Sequence, residues 1–257
     1  MATVYIKPGT GSGSGTLAAP YFYDQLGTAE AAAGSGGTIL FTDGTYASPG
    51  TLDAANVTYE SLNLHGAIMT GSSPVFGSSS NSVTVKKFKI TPNATERVEL
   101  HGASTLADQL LIECTNSFNV RPNTSGISLT NTLMKLSLTT GTAYGRSWGN
   151  FGTYKGNTLF ITDLNGRSAN SVSCLTSSLG SGVPKNSIFA TDDTANNVIT
   201  TADNTDANST NCCFHQFGAN NTSDGTNNVF ADPLFVDATS DYRLRPSSPC
   251  INAGTAS

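Results

Sequence analysis

Charged side chains are scarce in this sequence. Asp, Glu, Lys and Arg make up 12% of the 257 residues, about half the share in an average globular protein. The net charge is only −5 and 37% of the residues are hydrophobic, whereas disordered chains combine high net charge with few apolar residues. The low charge therefore predicts a packed fold with a neutral, polar surface.

Basic clusters and long apolar runs are also lacking. The one positive cluster, Lys86-Lys87-Phe88-Lys89, alternates as the outward face of a strand would. Proteins that bind nucleic acid or anionic membranes neutralise phosphates with many basic side chains, so we expect neither partner. No run approaches the roughly 18 apolar residues of a membrane span, and the first residues lack the apolar segment of a secretory signal.

Cysteines are few and widely spaced, and they match no zinc-binding pattern. We expect buried, reduced thiols in a chain made in a reducing cytoplasm, with no cofactor. A metal or redox role is the alternative. The five are Cys114, Cys174, Cys212, Cys213 and Cys250.

What the sequence does contain is a series of short apolar runs separated by Gly, Asn, Ser and Thr, a pattern typical of strands and turns. The runs recur at steps of about 22 to 26 residues, a period that indicates a repeat architecture. Such a step suits one coil of a parallel β-helix, in which inward side chains stack into a continuous core. The clearest runs lie at 39–41, 62–64, 85–90, 110–112, 133–138 and 159–161.

One segment, residues 20–33, has helical spacing, and the glycines at 34–37 end it. We predict a single domain over residues 1–257, with a cap and first coil at 1–46, coils at 47–230 and a closing segment at 231–257. Because the open ends of a solenoid must be covered, we expect the helix to cover the first coil and the closing segment to cover the last.

Both ends of the chain carry motifs of a known family. The opening motifs are Thr3-Val4-Tyr5-Ile6, Gly37-Thr38-Ile39-Leu40-Phe41 and Asp43-Gly44-Thr45-Tyr46. The closing motifs are Ala231-Asp232-Pro233-Leu234-Phe235, Asp241-Tyr242-Arg243-Leu244 and the segment 247–254. Together they resemble the right-handed parallel β-helix family of pectate-lyase-like and phage tailspike-like proteins. The resemblance implies an all-β, right-handed, single-stranded parallel β-helix with a short N-terminal capping helix. It does not imply one function, because this fold hosts unrelated activities.

Acidic groups that could support catalysis are sparse. Asp192 and Asp193 form the one adjacent acidic pair, and we interpret them, like Asp163, as solvated corner residues. Asp203 and Asp206 lie in an Asx-rich segment that allows a weak calcium loop as an alternative, but we predict no metal site.

The bases available for lyase chemistry also stand alone. Lyases of this fold use a Lys or Arg base beside carboxylate-bound calcium, whereas Lys155, Arg167 and Lys185 have no acidic cluster nearby in sequence. His65 and His101 share the phrase Leu-His-Gly-Ala, which predicts equivalent corners of two coils. A catalytic histidine pair is the alternative.

The densest aromatic patch is the segment 143–157, where aromatic residues alternate with Gly, Arg and Lys. Its glycines predict a loop that leaves the coil, and loops often carry function. Aromatic and Arg side chains are enriched at interfaces, and aromatic rings also stack on sugars. We therefore predict a subunit interface or a glycan contact here, with packing under a long loop as the alternative. The candidate residues are Tyr144, Arg146, Trp148, Phe151 and Tyr154.

The preferred functional hypothesis is a non-catalytic structural protein of a phage or virus particle, assembled in the host cytoplasm. It would be a capsid decoration, fibre or tailspike-like component, a homotrimer, and a partner of other virion proteins and of surface glycans. Two alternatives stay open: a polysaccharide lyase or glycoside hydrolase, and a glycan-binding adhesive module that is extracellular or on the cell surface.

Overall fold

The computed structural model describes residues 1–47, 50–71, 74–93, 98–115, 117–122, 124, 126–137, 144–148, 151–162, 173–175, 184–191, 200–201, 209–215, 226–238 and 240–254. Within these ranges the side chains of 117–119, 121, 144–148, 173–175, 191 and 200–201 are not described.

Three parallel sheets form the body of the molecule. Sheet A contains β2 (Tyr21–Phe22), β1 (Thr3–Lys7), β3 (Thr38–Phe41), β6 (Thr58–Ser61), β9 (Thr84–Lys86), β12 (Leu106–Asp108), β15 (Ser128–Thr130), β18 (Thr153–Lys155) and β21 (Pro184–Lys185). Sheet B contains β4 (Gly44–Ala47), β7 (Ala67–Gly71), β10 (Lys89–Pro92), β13 (Leu111–Thr115), β16 (Leu133–Ser137), β19 (Thr158–Thr162), β22 (Ile188–Thr191), β24 (Cys213–His215) and β25 (Val229–Phe230). Sheet C contains β5 (Thr51–Leu52), β8 (Val75–Phe76), β11 (Val98–Leu100), β14 (Ser117–Pro122) and β17 (Tyr144–Trp148).

The remaining strands form two pairs. A parallel pair joins β20 (Ser173–Leu175) to β23 (Thr200–Thr201), and an antiparallel hairpin joins β26 (Phe235–Asp237) to β27 (Asp241–Leu244). A 3-10 turn at Tyr23–Gln25 leads into the helix α1 (Leu26–Ala33).

The chain visits sheets A, B and C in turn and then begins the next coil. Three-sided coils continue in this way for about five turns. Side-chain hydrogen bonds between neighbouring coils join residues 16 to 30 positions apart, so the coils vary more in length than the sequence step suggested. The structure is a parallel β-solenoid and confirms the predicted fold class.

Alternation along each strand builds the core. In β3, Ile39 and Phe41 point inward while their neighbours face outward, as the period of two in a strand requires. Because the coils are in register, inward side chains stack along the solenoid about 4.8 Å apart. One such row in sheet A is Ile39, Tyr59, Val85, Ala107, Leu129 and Tyr154.

The helix α1 occupies the last eight residues of the segment predicted to be helical, 20–33, and packs against β1 and β3. Ala29 and Ala33 are buried in the solenoid core, and Leu26 packs against it. Gly34 ends the helix with φ 66°, and its N–H donates to Glu30 O at 3.0 Å. The predicted capping helix is therefore confirmed.

From Lys87 onward, the corner from sheet A to sheet B is a single residue with left-handed backbone, hereafter the A/B corner. The N–H of this residue donates to the next coil, as from Asn131 to Lys155 O (3.1 Å) and from Gly156 to Lys185 O (3.0 Å). Asn and Gly accept this backbone most readily. The corner residues, with φ between 48° and 68°, are Lys87, Gln109, Asn131, Gly156, Asn186, Asn211 and Asn227.

The residue after the A/B corner points inward from Phe88 to Cys212, and in four of these coils its N–H donates to a side chain of the next coil. The N–H of Thr132 donates to Asn157 Oδ1 at 2.9 Å, and the N–H of Asn157 donates to Ser187 Oγ at 3.2 Å. The N–H of Cys212 donates to Asn228 Oδ1 at 2.9 Å. This inner polar row explains why buried Thr, Asn and Ser occur in an otherwise apolar core, because an unpaired buried N–H is costly.

The closing segment departs from the expectation that it covers the last coil. The hairpin β26–β27 packs on the outer face of sheet B, where Phe235 contacts Phe160 and Ala190. Phe230, in the last strand of sheet B, remains 47% exposed. Phe160 and Ala190 form an outward apolar patch on the side of the solenoid, and the apolar residues of the hairpin pack against it.

We predict that Asn157→Ala lowers the free energy of unfolding by about 1–3 kcal/mol, because it leaves Thr132 N buried without its acceptor and removes the side-chain hydrogen bond to Leu129 O. The matched control is Asn63→Ala, which removes an exposed hydrogen bond to Asp43 and should change stability by less than about 1 kcal/mol. Urea unfolding followed by circular dichroism measures both. Equal effects of the two substitutions would contradict the role of the inner polar row.

Candidate functional site

A cleft of about 470 Å³ lies where the hairpin meets the outer face of sheet B. Its floor is formed by Leu111, Leu133 and Thr158, which are in register on neighbouring strands. One wall is Ser240–Arg243 of the hairpin. The opposite side is the A/B corner, with Asn131 and Gly156, and His65 contributes from an earlier coil. We call this the hairpin cleft.

Aromatic packing holds the hairpin wall in place. Tyr242 and Phe235 pack on Phe160, with ring centroids 5.4 and 5.8 Å from that of Phe160. Lys135 Nζ lies 5.2 Å from the centroid of Tyr242, a geometry in which the cation is attracted to the ring. These contacts orient the wall, because Tyr242 lies between the two cleft residues Asp241 and Arg243.

A disulfide joins the closing segment to the coils, and it corrects part of the cysteine prediction. Cys213 of β24 is bonded to Cys250, with Cα atoms 6.1 Å apart. Cys114 and Cys212 are free and buried as predicted, and burial raises the pKa of their thiols to about 12 and about 11. Cys174 lies among the side chains that are not described. Cys213 forms the disulfide and Cys212 stays free, because adjacent residues of an extended chain point to opposite sides.

The hairpin wall presents a paired carboxylate and guanidinium. Arg243 Nε donates to Asp241 Oδ1 at 2.9 Å and to Oδ2 at 3.1 Å, and Nη2 donates to Oδ2 at 2.5 Å. Hydrogen bonds from Arg243 lower the pKa of Asp241, and Asp241 in turn raises the pKa of Arg243. The pair is open to solvent on the arginine side, since the Arg243 side chain is 82% exposed.

A second carboxylate lies beside the cleft on the outer face of sheet B. Glu113 accepts from Lys89 at 2.7 Å and from Lys135 at 3.3 Å. Burial alone would raise the pKa of Glu113, but the hydrogen bonds and charges of the two lysines outweigh it and the pKa is lowered. Glu113 is therefore ionised at neutral pH.

His65 is neutral at physiological pH. Half-burial lowers the pKa of its imidazole, and the hydrogen bond between Nε2 and Gln109 O, 3.1 Å long, offsets this only in part. The imidazole thus contributes hydrogen-bonding atoms to the cleft without a charge.

These groups suit binding better than acid–base turnover. A glycosidase needs one carboxylic acid with a raised pKa and a second carboxylate across the substrate. The carboxylates of Asp241, in the hairpin cleft, and Glu113, beside it, both have lowered pKa values. Each is paired with basic side chains, Asp241 with Arg243 and Glu113 with two lysines. The cleft offers hydrogen-bond donors and acceptors around an apolar floor.

The structure places part of the predicted aromatic patch in the core. Phe151 and Tyr154 are 0% and 1% exposed, the placement that the packing alternative predicts. Tyr144, Arg146 and Trp148 form part of β17, an edge strand of sheet C, and their side chains are not described. An interface or glycan role for these three residues stays a prediction.

The two histidines lie at corners, but not at equivalent ones. His65 ends a corner from sheet A to sheet B, whereas His101 follows β11 of sheet C and precedes β12 of sheet A. His101 Nε2 lies 3.0 Å from Glu99 Oε2. The prediction of equivalent corners is wrong, because the shared phrase falls at different phases of the coil.

The remaining acid and base candidates are mostly outside the described residues. Asp163, Arg167, Asp192, Asp193, Asp203 and Asp206 all lie outside them. Lys155 and Lys185 are aligned on neighbouring strands of sheet A. In the described part of the chain, no group of three or more His, Cys, Asp and Glu side chains is arranged to hold a metal ion. No helix among those residues is long and apolar enough to cross a membrane.

Sequence reasoning did not single out the residues of the hairpin cleft. Asp241 and Arg243 belong to a closing motif that indicated the fold and not a site. A usable signal exists in the repeated corner phrase, an Asn or Gly followed by Thr, Asn, Ser or Cys and an apolar run, as in "NTLM", "GNTLF" and "NSIF". Comparison with family models, curated proteins and solved structures found no match.

We predict that Cys250→Ser lowers the free energy of unfolding by about 3–4 kcal/mol under non-reducing conditions, since the disulfide links residues 37 positions apart. Thermal unfolding with and without dithiothreitol measures this. The reductant should destabilise the unmodified chain and leave Cys250→Ser unchanged. Recovery of both residues as free thiols in non-reducing peptide mapping would contradict the prediction.

We predict that Glu113→Gln destabilises the protein more at pH 7 than at pH 3. The folded-state pKa of Glu113 is lowered from the ordinary value of 4.5, so its stabilising effect is complete above the unfolded pKa and is lost as pH falls through the folded pKa. Urea unfolding at both pH values measures the difference. The control, Glu60→Gln, removes a carboxylate paired with one lysine, Lys87, and should have a smaller effect. A pH-independent loss in Glu113→Gln would contradict the ionic origin.

Proposed function

We propose that the chain is a non-catalytic structural component of a phage or virus particle, built as a rigid β-solenoid that forms a homotrimer. In this proposal it serves as a capsid decoration, fibre or tailspike-like component.

The observation that carries the non-catalytic part of the proposal is the state of the carboxylates beside the cleft. Glu113 lies between Lys89 and Lys135, and Asp241 is held by Arg243. Both have lowered pKa values, so neither is suited to donate a proton to a leaving group at neutral pH.

The structural part of the proposal is supported by the way the coils are joined. Hydrogen bonds run from coil to coil at the strands, at the A/B corners and through the inner polar row. Each coil is therefore fixed to its neighbours along the length of the solenoid. The sequence also has few charged residues and many Ser, Thr, Asn and Gly residues. This composition suits a protein that must stay folded on a particle surface outside the cell.

We predict a molar mass of about 80 kDa for the purified chain in light scattering, three times the 26.5 kDa of one chain. Trp148→Ala should reduce the trimer fraction if β17 contributes the interface, and Arg245→Ala, a substitution on the hairpin, should leave it unchanged. A mass near 26.5 kDa for the unmodified chain would contradict the trimer.

The particle assignment has a separate test. Antibodies raised against the purified chain should label particles of the virus that encodes the chain. Immunogold electron microscopy of the particles measures this. Labelling confined to the particle-free fraction would contradict a virion role, whatever the oligomeric state. Release of reducing ends from polysaccharides by the purified chain would instead favour the enzyme alternative.

A further inference from the structure

The floor of the hairpin cleft is a narrow apolar strip. Leu111 and Leu133 are directly opposite each other on β13 and β16, and Thr158 continues the row on β19. All three are half-buried and face outward. The strand spacing of about 4.8 Å gives a flat surface about three strands wide, suited to an elongated ligand with one apolar face.

The hairpin wall and the floor of the cleft together carry both donors and acceptors. Arg243 supplies N–H donors, Asp241 supplies carboxylate acceptors, and the Thr158 hydroxyl can do either. A ligand hydroxyl both donates and accepts, so it can bind a carboxylate and a guanidinium at the same time. A ligand with neighbouring hydroxyl groups therefore matches the Asp241–Arg243 pair better than a ligand with donors alone or acceptors alone.

The charges at the rim cancel. Asp241 neutralises Arg243, and the His65 imidazole is neutral because burial lowers its pKa. Glu113 with Lys89 and Lys135 forms a group of net charge +1 beside the cleft, but none of the three lines it. An anionic ligand would have to compete with Asp241 for Arg243, and a cationic ligand would have to compete with Arg243 for Asp241. The cleft thus favours a ligand without net charge.

We infer that the hairpin cleft binds a neutral saccharide, with the apolar face of a sugar ring on Leu111 and Leu133 and its hydroxyl groups on Asp241, Arg243 and Thr158. A volume of about 470 Å³ falls within the range of about 300–1,000 Å³ seen for small-molecule sites. The inference concerns this chain alone and does not depend on the virion proposal, since a saccharide site would serve a virion protein and an adhesive module equally.

The test is isothermal titration calorimetry with four neutral probes, maltotriose, cellotriose, N,N′,N″-triacetylchitotriose and lactose, and with 3′-sialyllactose as the charged counterpart of lactose. At least one neutral probe should bind, and 3′-sialyllactose should bind no more tightly than lactose. Arg243→Ala should weaken binding about tenfold or more, because it removes hydrogen bonds from a charged donor. Thr158→Phe should weaken it similarly by filling the cleft.

Arg245→Ala is the matched control, because Arg245 is an exposed arginine of the same hairpin arm that donates to Val236 O and does not line the cleft. It should bind the probe as the unmodified chain does. Circular dichroism confirms that each variant is folded, and an exposed Arg243 can be replaced without loss of core packing.

Three results would each overturn the inference. The first is no binding of any of the four neutral probes. The second is tighter binding of 3′-sialyllactose than of lactose with an affinity that falls as salt is added, which would assign the cleft to anions. The third is neutral saccharide binding that neither Arg243→Ala nor Thr158→Phe weakens, which would place the sugar elsewhere on the chain. Particle labelling and molar mass are unaffected by any of these results, so the virion proposal stands or falls separately.

Discussion

The coils depend on one backbone hydrogen-bond pattern, the A/B corner. A single residue with positive φ turns the chain from sheet A to sheet B, and its N–H donates to the next coil. Because the turn is one residue long in the coils from Lys87 onward, a strand of sheet B cannot shift relative to the strand of sheet A that precedes it. The register of sheet A therefore sets the register of sheet B. Non-glycine residues accept a cost of roughly 1–2 kcal/mol in this conformation, and the repeated hydrogen bonds offset it.

The same corner determines which of the two residues that follow it is buried in the core and which faces solvent. The residue that follows turns inward, where its N–H finds no backbone acceptor, and a polar side chain such as that of Asn157 or Ser187 supplies one. The next residue turns outward and falls in register with its equivalents. Leu111, Leu133 and Thr158 reach the floor of the hairpin cleft in this way. The inner polar row and the outer apolar strip are consequences of one turn.

Features that depend on residues close together in the sequence were predicted, and features that depend on contacts between distant residues were not. The helix and the stacked coils were predictable because the helix depends on spacing within 20–33 and the coils on recurring apolar runs. The A/B corner was harder to detect because Lys87 and Gln109 adopt the same backbone as Asn131, so no one residue type marks it. The hairpin and the disulfide depend on contacts between distant parts of the chain. Cys213 and Cys250 meet only because the closing segment folds back along sheet B, and nothing in the spacing of the cysteines indicates that path.

Stacked coils also constrain the chemistry of the lateral face. A carboxylate on one coil lies directly opposite a residue of the next, as Glu113 lies opposite Lys135, and a solenoid can place an opposite charge there with little rearrangement. Such pairing lowers the pKa of the carboxylate and keeps it ionised, which suits a surface that binds or supports and works against one that must transfer a proton. A glycosidase on this fold would require a carboxylic acid with a raised pKa, and neither Glu113 nor Asp241 meets that condition. The hairpin adds the Asp241–Arg243 ion pair and the Tyr242 ring to the apolar strip of Leu111 and Leu133.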